Sequence, residues 1–390
     1  MEKKNIVILT SNKYPDGDAG ALRQHTMGKM FHSLGYNVMV YGMGESTSGE
    51  IKTLDGISYR SMRNNRRDVI GRFMGRATWV VRAVDDIKKR FEHIDAMLIV
   101  GDNPILFKKA EQLAKKYKCC IIHDSVEWYS PEEYRTGKLS IEYLMKEFTN
   151  RVAVKKPIKV IAISEYLEDY FSSKGLKTIR IPVIMDSNGK NPVIQKKNKK
   201  ATFVYAGAPG KKDYIDIMLK GFARLSDSDK RNIELHIFGI TEQQLITVCG
   251  VDNNTIAELG ECLCVHGRVS HDEATEWVKN ADVTILLRDE KLRYAQAGFP
   301  TKVVESMMYG TPVICNLSSD LGKYLKNTDN AYIASACDSN SFCSAIRAFL
   351  NTDKTQRVEI NKNARVTAEK YFDSKEYRQA LASFAFSKDN

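Results

Sequence analysis

Short apolar runs alternate along this chain with longer stretches in which apolar residues return every three or four positions. The first pattern predicts strands buried on both faces and the second predicts the helices that cover them. Runs at 6–9, 38–41, 95–100, 119–122, 159–163 and 178–183 predict strands in the first half, and 51–60 reads as a short strand or hairpin. A second set follows at 202–207, 234–239, 264–269, 281–287 and 313–315. Helical spacing at 21–34, 68–91, 104–117, 271–280 and 374–386 fills the gaps. Regular alternation of this kind predicts an α/β chain with two doubly wound parallel sheets. The lysine-rich polar stretch 187–200, with Gly189 and Pro192, reads as the linker between a first domain at 1–186 and a second at 201–373.

One stretch combines this patterning with chemistry. Residues 297–314 read as a loop, a helix and a buried strand. Pro300 suits a first helical position, where its missing N–H costs nothing. Val303, Val304, Met307 and Met308 form one apolar face, Gly310 stops the helix, and Pro312 cannot continue it. Loop amides before a helix N-terminus favour an anion such as a diphosphate. Glu305, one turn further on, is placed to accept from ribose hydroxyls beside that diphosphate.

Composition changes the picture only in part. At 390 residues the chain suits two domains. It has no apolar run near the ~20 residues of a membrane span, and its opening 1–5 leads straight into a strand, which reads as no signal peptide. The eight cysteines lie in apolar or mixed surroundings without zinc-knuckle spacing, so reduced thiols in a cytoplasmic protein are expected. The net charge of +11 is uneven: from Arg60 to Arg90, ten basic residues face three acids and carry +7 of it. Arg66, Arg67, Arg72 and Arg76 make this stretch a candidate surface for an anionic membrane leaflet or a polyanion. A sheet-covering helix with a solvated basic side is the alternative. Phe73 and Trp79 fall on its apolar stripe rather than between its charges, so no nucleic acid partner is expected.

A second cluster sits where the strand at 119–122 ends: His123, Asp124, Glu127 and Trp128. Ligands of open α/β sheets bind outside the carboxyl ends of the strands. Asp124 or Glu127 would hydrogen-bond a ligand hydroxyl there, and Trp128 would stack on a ring of that ligand. Arg23, in the first turn of the first helix, either faces a ligand or is solvated.

The stretch from Ala297 through Glu305 to Met308-Tyr309-Gly310-Thr311-Pro312-Val313 resembles the donor-site signature of retaining glycosyltransferases of the GT-B fold, family 4. The resemblance implies two Rossmann-like domains facing a central cleft, with the last helix crossing back to the first domain. Glu305 falls on the family's ribose-binding glutamate, and Thr301, Lys302 and Val303 fall where backbone amides hold the donor phosphates. Ala297 replaces the family's first glutamate, which touches the donor sugar. Gly20 stands for the glycine pair of the first loop, with Ala19 in place of its partner. Gly207 opens the diphosphate loop, in which Ala208 replaces the family's arginine and Lys211 and Lys212 supply ammonium groups. Gly267 and Arg268 fall where the base edge is read, and Arg288 ends the strand before the donor loop as a further cation. Asp16-Gly17-Asp18 has the spacing of a metal motif but follows the first strand, so it reads as loop and cap residues and no metal site is expected.

The resemblance implies transfer of a hexosyl group, with retention and without metal or other cofactor, from a nucleotide sugar (a UDP-sugar foremost). The acceptor implied is a cell-envelope glycan, lipid-linked or polyanionic, reached from the cytoplasm or the inner face of the plasma membrane. A nucleotide-sugar 2-epimerase of the same fold and a non-catalytic polyanion-binding or scaffolding protein with a degenerate site are the alternatives.

Overall fold

The computed structural model describes residues 3–387 except 16, 18, 45–49, 63–68, 135, 195, 197–198 and 210–211, and between 69 and 77 the backbone alone. Contacts divide the chain into two units, residues 1–186 with 374–390, and residues 187–373.

The first unit is built on β1 (Asn5–Lys13), β2 (Asn37–Met43), β3 (Lys52–Leu54), β4 (Ile57–Met62), β5 (Ala96–Val100), β6 (Cys120–Ser125), β7 (Lys159–Ala162) and β8 (Thr178–Arg180). Among the described residues these form one sheet in the order β3-β4-β2-β1-β5-β6-β7-β8, parallel except for the β3–β4 hairpin. The middle strands are the most apolar because helices cover both faces; every residue of β5 is buried. Helices α1 (Ala19–Ser33), α2 (Val69–Arg90), α3 (Pro104–Tyr117), α4 (Ile141–Phe148) and α5 (Glu165–Ser173) connect the strands. Asn103 caps α3 by accepting from the Ile105 N–H, and Ser164 caps α5 by accepting from the Leu167 N–H.

The C-terminal helix Arg378–Phe386 belongs to this unit. The buried Lys159 ammonium donates to the carbonyls of Phe384, Ala385 and Ser387, a cation at the negative end of the helix dipole. Leu381 and Phe384 join the core formed by Ile6, Ile8, Leu98 and Ile122.

Two expectations change here. The first loop is shorter than the strand at 6–9 and the helix at 21–34 imply, because β1 continues to Lys13, which pairs with Met43 of β2, and α1 already begins at Ala19. Gly20 therefore lies in the first turn of a helix rather than in a loop. The basic stretch also reads differently. Trp79, Val80, Ala83, Val84 and Ile87 are buried, so this part of the apolar stripe of α2 serves the core. Arg60 and Arg90 both pair with Asp86, which neutralises part of the excess. Arg66 and Arg67 lie outside the described residues, as do the side chains of Arg72, Phe73 and Arg76.

The second unit contains β9 (Ala201–Ala206), β10 (Ile233–Phe238), β11 (Leu263–Gly267), β12 (Val283–Leu286), β13 (Val313–Cys315) and β14 (Tyr332–Ile333). Their order is β11-β10-β9-β12-β13-β14, with all pairs parallel. Its longer helices are α6 (Ile215–Ala223), α7 (His271–Asn280), α8 (Thr301–Met308), α9 (Ser339–Asn351) and α10 (Lys354–Phe372). The lysine-rich stretch 187–200 packs on this unit: the Val193 N–H donates to Tyr309 O, and Ile194 O accepts from Asn361 Nδ2 at 2.7 Å. All eight cysteines are free thiols. Among the described residues no helix is long and apolar enough to cross a membrane.

Candidate functional site

In the second unit the strand order turns around at β9, which lies between β10 and β12. Such a switch point opens a crevice at the carboxyl ends of the strands, because the connections leave it in opposite directions. Gly207 follows β9, Gly239 follows β10, Arg288 lies two residues past β12, and the N-terminus of α8 comes up beside them, with Lys302 against Gly207.

The centre of this arrangement is Asp213, a residue not singled out by the sequence. Its side chain is 1 % exposed. It accepts from Lys302 Nζ at 2.6 Å, from Arg288 Nε at 3.0 Å and from the Tyr205 hydroxyl at 2.7 Å. Burial pushes its carboxyl up, but the charges of Lys302 and Arg288 and the hydrogen bonds from Lys302 and Tyr205 outweigh this and hold it below the usual carboxylate range. One buried anion thus fixes two cations that keep an edge toward solvent, with the side chains of Lys302 and Arg288 28 % and 13 % exposed. Asn316 steadies the second of them, since its side-chain amide accepts from the Arg288 N–H and donates to the Arg288 carbonyl.

Lys302 reaches Asp213 by crossing Gly207. A Cβ on Gly207 would stand 2.5 Å from Lys302 Cε, and the residue's φ of +136° is one that glycine alone adopts readily. Lys302 therefore brings a side-chain ammonium to the switch point, in addition to the backbone amide expected of it. Ala208 lacks the cation that the resemblance places there, and Lys302 with Arg288 supplies positive charge beside it. Lys212 is exposed with its carbonyl bonded to Tyr294, and Lys211 lies outside the described residues.

Thr301, Lys302 and Val303 form the first turn of α8, and no side chain caps that N-terminus. Pro300 sits one position earlier than expected, as the flanking N-cap residue, with φ −77° and ψ 103°. Val303, Val304, Met307 and Met308 are wholly buried, so the helix is held rigidly by its apolar face. Glu305 keeps 25 % of its side chain exposed and lies 3.9 Å from His271 Nε2, at the start of α7. His271 is the second residue missed by the sequence reading. Gly267 closes β11 with φ +71°, and its carbonyl accepts from the Gly239 N–H, while Arg268 is exposed.

The first unit's candidates are placed otherwise. Asp124 is buried and accepts from Arg23 at both carboxylate oxygens, through Nε at 3.0 Å and Nη2 at 3.0 Å. Arg23, itself buried, also donates to the carbonyls of Pro182 and Ile181. This pair ties α1 to β6 and to the segment after β8, which corrects both the ligand-binding role for Asp124 and the open or solvated Arg23. His123 is 1 % exposed between Phe107 and Phe171; burial, and next the Lys146 charge, lower its pKa to about 3, so it stays neutral. Trp128 is 2 % exposed, packs against Tyr166 and Tyr170 and donates to Glu147, so it offers no face to a sugar. Within the cluster Glu127 stays partly exposed, accepting from the Tyr129 hydroxyl. Each is closed off by its own neighbours: Asp124 by Arg23 of α1, His123 by Phe107 of α3 and Phe171 of α5, and Trp128 by Tyr166 and Tyr170 of α5 and Glu147 of α4.

Among the described residues no three His, Cys, Asp or Glu side chains gather as a metal site, and Asp16 and Asp18 lie outside those residues.

The second unit carries its own family signature. Residues 187–367 match the family model of Glycosyl transferases group 1. No curated protein sequence matches the chain. Among solved structures it is similar to sucrose-phosphate synthase from Thermosynechococcus elongatus, with TM-score 0.75 and 13 % identity over 98 % of each chain. It is similar to Anabaena HepE in complex with UDP and glucose, with TM-score 0.67 and 16 % identity over 97 % of this chain and 98 % of that one. It is also similar to WaaG, a glycosyltransferase involved in lipopolysaccharide biosynthesis, with TM-score 0.68 and 13 % identity over 98 % and 100 %. At such identities the likeness speaks for the fold, which is GT-B, with two parallel-sheet α/β domains.

Proposed function

We propose that this protein is a retaining glycosyltransferase that moves a hexosyl group from a UDP-sugar to a cell-envelope glycan, lipid-linked or polyanionic. The observation that carries this reading is the pair of cations, Lys302 and Arg288, set on buried Asp213 beside the uncapped N-terminus of α8. A diphosphate between them gains charge as the glycosidic bond breaks, and preformed cations stabilise that charge without reorganisation. Glu305, one turn along α8, accepts from the ribose hydroxyls, and Gly267 and Arg268 meet the base. The group-1 family match over residues 187–367 and the UDP bound by the similar HepE support a UDP donor.

The chemistry needs no metal in this reading, since the two side-chain cations and the helix terminus supply the positive charge that an ion would bring. Binding and positioning then carry the rate. The basic surface supports an anionic or lipid-linked acceptor and peripheral attachment at the inner face of the plasma membrane.

The test is a thermal-shift panel of UDP, GDP, ADP, CMP and their sugars, without metal, on the wild type and Glu305→Ala. A ligand that binds the native state raises the midpoint. Selective stabilisation by UDP and a UDP-sugar, lost in Glu305→Ala, is expected. Silence from every nucleotide would replace this reading with a polyanion-binding protein that has a degenerate site.

A further inference from the structure

Helix α4 is inside out. Its most deeply buried side chain is a cation: Lys146 is 4 % exposed and donates to Asp102 Oδ1 at 2.9 Å, Glu147 accepts from Trp128 Nε1 at 2.7 Å, Tyr143 and Met145 are half-buried, and Thr149 and Asn150 beyond the helix are wholly buried. Its outward side chains are apolar. Ile141, Leu144 and Phe148 are 51 %, 52 % and 45 % exposed, and Val152, in the π-helical turn Thr149–Ala153 that continues it, is 52 % exposed. The spacing of three, four and four residues puts these four on one stripe. Leu139, just before the helix, is 83 % exposed. A surface helix ordinarily buries such a stripe. Here the buried polar contacts hold it outward, which costs free energy unless something apolar covers it.

The charges around the stripe say what covers it. From 138 to 156 the exposed charged residues are Lys138, Arg151, Lys155 and Lys156 against Glu142; Arg151 pairs with Glu147 and Lys155 lies 3.9 Å from Glu111, which offsets part of this charge and leaves the rim basic. A two-fold dimer through this face would bring those cations together, and the whole chain already carries +11. An anionic bilayer interface offers both partners at once, acyl chains for the stripe and headgroup phosphates for its rim.

We infer that α4 and its continuation to Val152 are the surface through which this protein docks on an anionic lipid bilayer, with Leu144 and Phe148 inserted and Lys138, Arg151, Lys155 and Lys156 at the headgroups. The inference rests on the peripheral attachment proposed above and moves it from the basic stretch of α2 to this face.

The experiment is co-sedimentation of the full chain with vesicles of phosphatidylcholine containing about one-third phosphatidylglycerol, and with phosphatidylcholine alone. The wild type is expected to bind the anionic vesicles and to bind the neutral ones at least tenfold more weakly. Leu144→Ser with Phe148→Ser should lose about tenfold or more in binding at an unchanged unfolding midpoint, in line with the apolar area withdrawn. Lys155→Ser with Lys156→Ser should lose the preference for anionic vesicles. In Phe148→Trp, tryptophan emission should shift to the blue when anionic vesicles are added, which gives a readout on a chain that keeps its apolar stripe. Unchanged binding by the Leu144/Phe148 double variant, with no shift in Phe148→Trp, would overturn the assignment of this face and leave membrane attachment itself standing. No binding by the wild type would overturn both. A dimer in solution that the same double variant breaks would assign the face to a second copy instead. None of these outcomes depends on nucleotide binding, so the donor site is tested separately.

Discussion

Lys302 Nζ lies 2.6 Å from Asp213 Oδ2, and this contact holds a solvent-edged ammonium over Gly207 at the turning point of the second sheet. The pair separates two roles that one cation would otherwise combine. Asp213 is buried and sets position, while Lys302 keeps the solvent edge at which the proposed donor would present its diphosphate.

Lys302→Met is therefore expected to leave the fold intact, because Arg288 and Tyr205 still satisfy Asp213. It should lower donor turnover by about 100-fold or more, the scale of one preorganised charge donor. Asp213→Asn should lose turnover and also about 3–5 kcal/mol of stability, since two cations are left beside each other without their anion. Steady-state kinetics on a UDP-sugar and urea midpoints check both. Equal stability losses in the two variants would contradict the division of roles.

The Asp213 carboxyl also sets an acid limit. Its folded pKa lies below its unfolded one, so its contribution is full above about 4 and is lost as the pH falls through the lowered value. Urea midpoints measured between pH 5 and pH 2.5 should fall more for the wild type than for Asp213→Asn.

Gly207→Ala should reproduce the Lys302 defect without touching a charge. The new Cβ would overlap the lysine stem, and φ +136° strains an alanine by about 1–3 kcal/mol. Turnover should fall together with a modest drop in the midpoint. Wild-type kinetics in Gly207→Ala would mean that Lys302 reaches its place by another route.

His123 predicts a pH dependence of opposite origin. Its folded pKa is about 3, while the unfolded chain takes up a proton near 6.5. Between these values the unfolded state binds more protons, so stability declines on acidification by at most about 1.4 kcal/mol per pH unit. His123→Phe, in a site already lined by Phe107 and Phe171, should remove that slope. From pH 7 to pH 5 the wild type should lose about 2 kcal/mol more than the variant.

Arg23→Met should cost about 3–5 kcal/mol, because it leaves the Asp124 carboxylate buried and uncompensated. Nucleotide affinity, read by calorimetry on the folded fraction, should stay at the wild-type value. A large affinity loss at unchanged stability would return this pair to the ligand site.

Much of the fold was legible in the residues because its signals are local. The run 104–117 shows helical spacing, and the helix occupies Pro104–Tyr117. The stretch around Glu305 was legible for the same reason: Val303, Val304, Met307 and Met308 repeat at helical spacing, and Gly310, at φ +70°, ends the helix. Strand type followed from apolar runs such as 95–100, since a parallel strand covered on both faces needs no polar alternation.

The sequence by itself determined the α/β alternation, the donor-like loop and helix, and the charge excess, since periodicity, turn residues and composition are properties of neighbours along the chain. The tertiary structure decided which of the charged residues meet. Asp213 meets Lys302 from 89 residues away and Arg288 from 75, and Arg23 finds Asp124 across 101. These meetings depend on strand order, which no local pattern encodes. The same holds for α4, where apolar spacing suggests a core face and only the buried partners of Lys146 and Glu147 turn that face to the outside.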